Sequence, residues 1–245
     1  MFLSSTQIII YIVLLILICF CVLIYCYISN LNKINSEIAI LQKDNPTDGD
    51  IQDLLVQKQP TIFADVLYDW EAVAEIFDMP IDLITELLAA KPFIQLLTSH
   101  LEPYSLLFSR GWKFQATERS PDPGNPYEHY FRLESHHRHF IAQITGIQRI
   151  YIASPNQTTF LTPVEIEATS GTTSTSNSTS INKTRCTVDF YNETETAKEP
   201  FNKLQYIEIV LREGNMLYIP RGWWYLHAVE APGLVLEAVN ESIFS

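Results

Sequence analysis

Four histidines crowd one stretch of this 245-residue chain, His129, His136, His137 and His139, with Glu134 among them, and His227 stands near the C-terminus. Imidazole nitrogens and carboxylate oxygens are the ligand types that transition metals take. Glu134, His136 and His227 would form a metal site if the fold brought the two stretches together. The plainer reading makes His136-His137-Arg138-His139 a polar turn entering a strand and His227 a single histidine on a strand face. Arg149 and Arg221 would serve an anionic ligand, or stand as solvated edge charges. No phosphate-cradling glycine loop and no nucleophile elbow accompany them.

Two longer patterns surround these residues. Residues 214–229, Gly-Asn-Met-Leu-Tyr-Ile-Pro-Arg-Gly-Trp-Trp-Tyr-Leu-His-Ala-Val, read as strand, corner, strand: Gly214 and Asn215 give turn chemistry, and Pro220 with Gly222 turns the chain into two tryptophans. Residues 139–155 carry a second strand-turn-strand, with Gln143-Ile144-Thr145-Gly146 at its turn. Both stretches resemble the JmjC and cupin-like 2-oxoglutarate hydroxylases. The resemblance implies a double-stranded β-helix from about residue 60 to the end. It also implies an Fe(II) site built from a His-x-Asp/Glu pair and a distal histidine, with a lysine holding 2-oxoglutarate.

Carried over position by position, the resemblance places the pair on Leu133 and Ser135, the distal histidine on Tyr225 and the lysine on Gln148. Leucine cannot bind iron, serine is a poor carboxylate, and glutamine lacks the charge that pairs with a dicarboxylate. These degenerate pocket positions predict an inactive domain with no catalytic residue and no cofactor. The alternative is an active Fe(II)/2-oxoglutarate-dependent protein hydroxylase with displaced ligands Glu134, His136 and His227.

The elements that must position these groups are mostly strands. Apolar runs between turn residues predict strands at 105–108, 112–117, 129–133, 139–144, 148–153, 187–191, 206–211, 216–219, 225–229 and 234–239. The fold class is therefore mainly β, a jelly roll, with Trp223 and Trp224 as core fillers at a corner. Val66, Trp70, Val73 and Phe77, then Ile84, Leu87 and Leu88, recur at helical spacing and predict helices ahead of it. Gln57 to Phe63 reads as an entry strand. Residues 168–184, almost all Ser, Thr, Asn and Gly, are expected to form a disordered insert.

From Ile8 to Ile28 no residue is charged, and at 1.5 Å per residue the run covers roughly 30 Å. Residues 1–29 are expected to be a single-pass transmembrane anchor, since a signal peptide would have a shorter apolar region, a basic start and a small-residue cleavage site. Leu31, Ile34, Ile38 and Leu41 fall on one helical stripe, so residues 30–59 are expected to be a helical stalk and linker. A homodimer seam along that stripe is the alternative. The domain proper is expected over 60–245.

Lys33 slightly favours a cytosolic domain, whereas five Asn-x-Ser/Thr sequons favour the opposite face, so the side stays open. Asn177 and Asn182 sit in the Ser/Thr-rich insert, where sequons arise by chance. Asn156, Asn192 and Asn240 are the glycosylation candidates that a lumenal glycan or peptide binder would carry. A net charge of −12 repels phosphate, which excludes nucleic acid as a partner. Three of four cysteines lie in the anchor, so Cys186 has no disulfide partner in the domain and a Cys-based zinc site is excluded. The reading is a membrane-anchored cupin-like module whose partners are the membrane and a protein or small ligand.

Overall fold

The computed structural model describes residues 5–32, 34–65, 109–121, 129–166 and 183–242. The helices expected between residues 65 and 101, the strand at 105–108 and residues 168–182 of the insert lie outside the described residues. Contacts divide the chain into a unit ending at Ile34 and a second running from Asn35 to Ile243.

The first unit is α1 (Ser5–Asn32), 28 residues with no acidic first turn and no basic last turn. Its apolar side chains are exposed, Leu23 at 67% and Tyr25 at 73%. Among the described residues no helix is long and apolar enough to cross a membrane.

The helical stalk is corrected. α1 stops at Asn32, residues 34–40 have no regular structure, and β1 (Leu41–Asp44) pairs in parallel with β2 (Thr61–Ala64). Ile40 packs on the core between the sheets. Burying even part of an isoleucine contributes about 1 kcal/mol, against a few tenths for one more helical residue, so sheet pairing wins over the helical stripe. Leu31 and Leu41 therefore share no helix, and the dimer seam loses its geometric basis. The second unit also begins well before residue 60. Between the strands α2 (Asp48–Gln57) is opened by a capping box, in which Thr47 and Asp50 each bond the other's backbone N–H.

The rest is β. The strands are β3 (Ser109–Arg119), β4 (Arg132–Leu133), β5 (Arg138–Gln143), β6 (Ile147–Ala153), β7 (Pro163–Ile166), β8 (Lys183–Cys186), β9 (Ile207–Arg212), β10 (Met216–Pro220), β11 (Trp224–Ala231) and β12 (Gly233–Ser242). One six-stranded sheet, sheet A, runs β1-β2-β10-β5-β12-β3; the other, sheet B, runs β7-β8-β4-β11-β6-β9. Every pairing except β1 with β2 is antiparallel. The fold is mainly β and consistent with a cupin double-stranded β-helix.

Three strand expectations change. Residues 187–191 form a turn, because the edge pairing is made one step earlier, by β7 with β8. Lys183 and Thr184 accordingly belong to β8 rather than to the insert. β4 is only two residues long, since Glu134 leaves the ladder to bond Trp223 and Gly222.

Strand alternation sorts the core into two faces. Ile141, Leu217, Ile219 and Val235 of sheet A meet Ile150, Ile152, Ile209 and Leu211 of sheet B, with Trp223, between the sheets. On the outer side of sheet B, Phe131, Ala153, Trp224 and Leu226 pack with Leu161, Cys186 and Phe201. The β5–β6 turn is pinned from outside: Gly146 has φ +79°, and a Cβ there would stand 2.4 Å from the Pro232 carbonyl oxygen. Gly233 is as crowded, its Cβ position 1.9 Å from the Thr145 oxygen.

Candidate functional site

The ladder registers show which polar residues share the space between the sheets. Tyr225 lies opposite Ile152 and His227 opposite Ile150, both core residues, so Tyr225 and His227 face inward from β11. Gln148 alternates with Ile150 on β6 and faces the same way. From sheet A, His139 lies opposite Ile219, Glu237 opposite Ile141, and Gln143 opposite Val235. Six polar side chains thus enter an otherwise aliphatic interior.

Four of them, with Glu134, His136 and Arg119, form two hydrogen-bonded groups. In the first, Glu134, 2% exposed, is held from behind by backbone bonds, its N–H to the Trp223 carbonyl at 2.8 Å and its carbonyl from the Gly222 N–H at 2.8 Å. One carboxylate oxygen receives the His136 backbone N–H at 2.7 Å and stands 2.6 Å from His136 Nδ1; the other stands 2.6 Å from His139 Nδ1. Burial alone would raise the Glu134 pKa, but the charges and hydrogen bonds of His139 and His136 overcome it and hold the carboxyl well below its usual range. Burial opposes charge on His139 as well, and there the Glu134 carboxylate wins and raises the imidazole pKa. The two groups are a buried ion pair.

In the second group Arg119 spans the sheets. Its guanidinium donates to Gln148 Oε1 at 2.8 Å and pairs with Glu237. Gln148 donates in turn to Gln143 Oε1 at 2.7 Å, and Gln143 to the Thr145 carbonyl at 2.6 Å.

Tyr225 separates the ends of these groups. Its ring centroid is 5.7 Å from that of His139 and 5.2 Å from that of His227, and the Arg132 guanidinium lies 5.6 Å over its face. Burial, then the Glu134 charge, pushes the phenol pKa far up, so Tyr225 stays neutral. Burial, then the cations Arg119 and Arg132, hold His227 well below its ordinary value, so this imidazole is neutral too. His139 Nε2 and His227 Nδ1 are both buried without a hydrogen-bond partner, and so is the Trp223 indole N–H in the same core.

Residues 134–241 match the family model described as Cupin-like domain. The match takes in 108 of the 245 residues, so a stretch of this chain is similar to cupin-like domains. No curated protein matches the chain. Among solved structures, the WlaRB TDP-quinovose 3,4-ketoisomerase from Campylobacter jejuni is 10% identical with a TM-score of 0.29, over 54% of this chain and 64% of that one. The E. coli ycfD structure is 13% identical with a TM-score of 0.30, over 60% of this chain and 28% of that one. The chain thus spans less than two thirds of either.

Between the two sheets the expected pocket positions divide. Gln148 and Tyr225 face the interior. Leu133 does not: it lies opposite Trp224 and packs on the outer cluster with Phe131 and Leu226. The inward residue of β4 is Arg132, opposite Tyr225, and alternation continues inward to Glu134. The motif is therefore Arg132-x-Glu134 in space, one residue earlier than the sequence alignment with Leu133 and Ser135. Ser135 is half-buried.

The other candidates scatter. His136 joins Glu134, whereas His227 lies beyond the Tyr225 ring, so the shifted triad of Glu134, His136 and His227 does not assemble. His129 leaves the site for Asp189, at 3.2 Å, and Tyr191. Arg149 is a surface residue paired with Glu208 and Glu230. Asn156 is exposed; Asn192 is exposed and caps a short helix, Glu193–Thr196, accepting the Thr194 N–H at 3.1 Å. Asn240 is fully buried within β12, which removes it from the glycosylation candidates. Asn177 and Asn182 lie outside the described residues.

The residues at this site do not fit Fe(II). Arg132 brings a permanent cation to the first inward position, both oxygens of Glu134 are engaged by imidazoles, and Tyr225 is held neutral. Among the described residues no group of three or more His, Cys, Asp or Glu side chains has metal-binding geometry. Nor does the second group suit a dicarboxylate, because Glu237 already occupies the Arg119 guanidinium. Sequence reading missed Arg119, Arg132, Gln143 and Glu237. Glu237 had a signal, a lone carboxylate within the apolar run Leu234 to Val239; Arg119, far from both motifs, had none.

Proposed function

We propose that the protein is a membrane-anchored cupin-like module, catalytically silent as an iron oxygenase, that binds a small polar ligand between its sheets. One observation carries the ligand: two imidazole nitrogens, on His139 and His227, are buried on either side of Tyr225 with hydrogen-bonding capacity unused. A buried polar atom left unpaired costs about 1–3 kcal/mol, so two in one interior favour an occupant that pairs them. The absence of an iron-binding donor set supports binding over oxygenase chemistry. For the anchor, the support is the uncharged run Ile8–Ile28 within α1 and its exposed apolar side chains.

The full chain in detergent, supplied with Fe(II), 2-oxoglutarate and oxygen, should retain substoichiometric iron and release no succinate above the protein-free rate. One tightly held iron per chain with succinate release would establish the hydroxylase reading instead. Native mass spectrometry of the same preparation should show a small molecule bound to the wild type and lost from His227→Phe. For the anchor, the full chain should stay in the membrane pellet through alkaline carbonate extraction; release into the supernatant would remove it.

A further inference from the structure

A second gathering of cations lies outside the space between the sheets. Arg138 begins β5 opposite Pro220 on one side and Asn240 on the other, and its side chain takes the outer face of sheet A with Phe140 and Tyr218. Arg221 follows Pro220 directly. His137 precedes Arg138 and donates its backbone N–H to the Asn240 carbonyl at 2.9 Å. The register of Thr61 with Tyr218 carries Lys58, the left-handed cap of α2, to the same end of the sheet. With neighbouring strands about 4.8 Å apart, four basic residues converge on one sheet end.

Arg138 is only 6% exposed, yet among the described residues no carboxylate, carbonyl or side-chain oxygen bonds its guanidinium, and none pairs with Arg221. By contrast, Arg119 and Arg149 each meet a carboxylate, and Arg132 and Arg185 each lie over an aromatic ring. His137 meets the same surroundings by staying neutral: burial first, then Arg138, Lys58 and Arg221, lower its pKa to about 3. Arginine has no such escape, since its guanidinium cannot lose a proton in a protein and carries five N–H donors. A permanent cation only 6% exposed beside further cations, in a chain of net charge −12, favours an anion taken from solution.

We infer that Arg138 and Arg221, with His137 beside them, bind a small oxyanion at this end of sheet A. Planar guanidiniums offer paired N–H donors to two oxygens of a phosphate or a carboxylate. The depth of Arg138 restricts the ligand to a free small ion, as a headgroup fixed in a bilayer would not reach it. This inference does not depend on what occupies the space between the sheets.

The test uses the full chain in detergent, with inorganic phosphate in one arm and acetate in the other, at constant ionic strength. One of the two anions should raise Tm saturably, and phosphate, if it is the ligand, should show line broadening in its 31P signal. Arg221→Gln should move half-saturation at least about tenfold higher, the loss expected for one charge-assisted hydrogen bond. Arg138→Met should abolish the response; should that variant fail to fold, Arg221→Gln decides alone. Tyr225→Phe, which alters only the inter-sheet site, should respond as the wild type does. Absence of a response to both anions up to about 10 mM, or an unchanged response in Arg221→Gln, would overturn the inference.

Discussion

Trp223 and Trp224 are adjacent in sequence and inhabit opposite faces of sheet B. Trp224 joins the outer cluster, where its indole N–H donates to Thr158 Oγ1 at 2.9 Å, Thr158 donates to the Pro155 carbonyl at 2.7 Å, and Cys186 Sγ accepts the Val188 N–H. Polar atoms on that face are paired locally. Trp223 joins the inter-sheet core, where its own indole N–H, His139 Nε2 and His227 Nδ1 are not paired at all. A face built only for stability satisfies its buried polar groups, and one that leaves several unsatisfied is shaped for something else. The outer face holds the sheet together, and the unpaired nitrogens of the inner one are the groups the proposed ligand would engage.

The largest effect expected on the inner face comes from Glu134→Gln. The amide keeps one acceptor for two imidazoles and removes the counter-charge of a buried His139, a loss of about 3–5 kcal/mol by denaturant unfolding. His227→Asn, at an equally buried residue whose Nδ1 already lacks a partner, should cost far less. Equal losses would mean that the Glu134 pair carries no special weight in the interior.

The pH profile of stability comes next. Glu134 sits below its ordinary value of 4.5, so its contribution is present above that pH and fades as pH falls further. His139 sits above its ordinary 6.5, so its contribution is full below pH 6.5 and fades as pH rises through the folded value. His137 and His227 are lowered, and below pH 6.5 only the unfolded chain takes up their protons, which destabilises the fold. Stability should therefore peak near pH 6.5, with an acid limb about twice as steep as the alkaline one, each proton contributing about 1.4 kcal/mol per pH unit. His227→Asn should remove about half of the acid slope. A profile that rises steadily to pH 8 would reverse the assignment for His139.

These contrasts were only partly visible in the chain itself. Alternation and turn residues place β5, β6, β10, β11 and β12 within a few residues, because apolar period and burial agree there. The stalk misleads since Leu31 to Leu41 has a helical period, while Leu41 pairs with Thr61, twenty positions later, and Ile40 packs on core residues from Ile141 onward. At the site, a one-residue slip put Leu133 inside and Arg132 outside. A slip of one residue exchanges the two faces of a strand. Only the pairing of Tyr225 with Arg132 fixes it, and that is long-range information. Glu237 and Arg119 are 118 positions apart and meet only through the β3–β12 ladder.

A smaller difference separates the two tryptophans directly. Phenylalanine removes the indole N–H while keeping an aromatic ring in place. At Trp224 it also strands the Thr158 hydroxyl, whereas at Trp223 it deletes an N–H that had no partner. Trp224→Phe should therefore be the more destabilising by about 1 kcal/mol, beyond the similar loss of volume. A greater loss in Trp223→Phe, or loss of a bound small molecule on that substitution alone, would show that its N–H is paired to the occupant.

The smallest effect is expected on the outer surface at Arg149. Its guanidinium touches both Glu208 and Glu230, but all three side chains are about a third exposed or more, where water competes with each bond and salt screens the charges. Arg149→Ala should leave Tm nearly unchanged at physiological salt, and any loss seen at low salt should vanish as salt is added. Arg119, which makes a similar pair with Glu237 between the sheets at about a fifth exposed, should lose stability on Arg119→Ala at every salt concentration. The ion pair on each face is the same chemistry; what differs is how much water reaches it. A salt-independent loss at Arg149 would show that the surface triad is as shielded as the interior one.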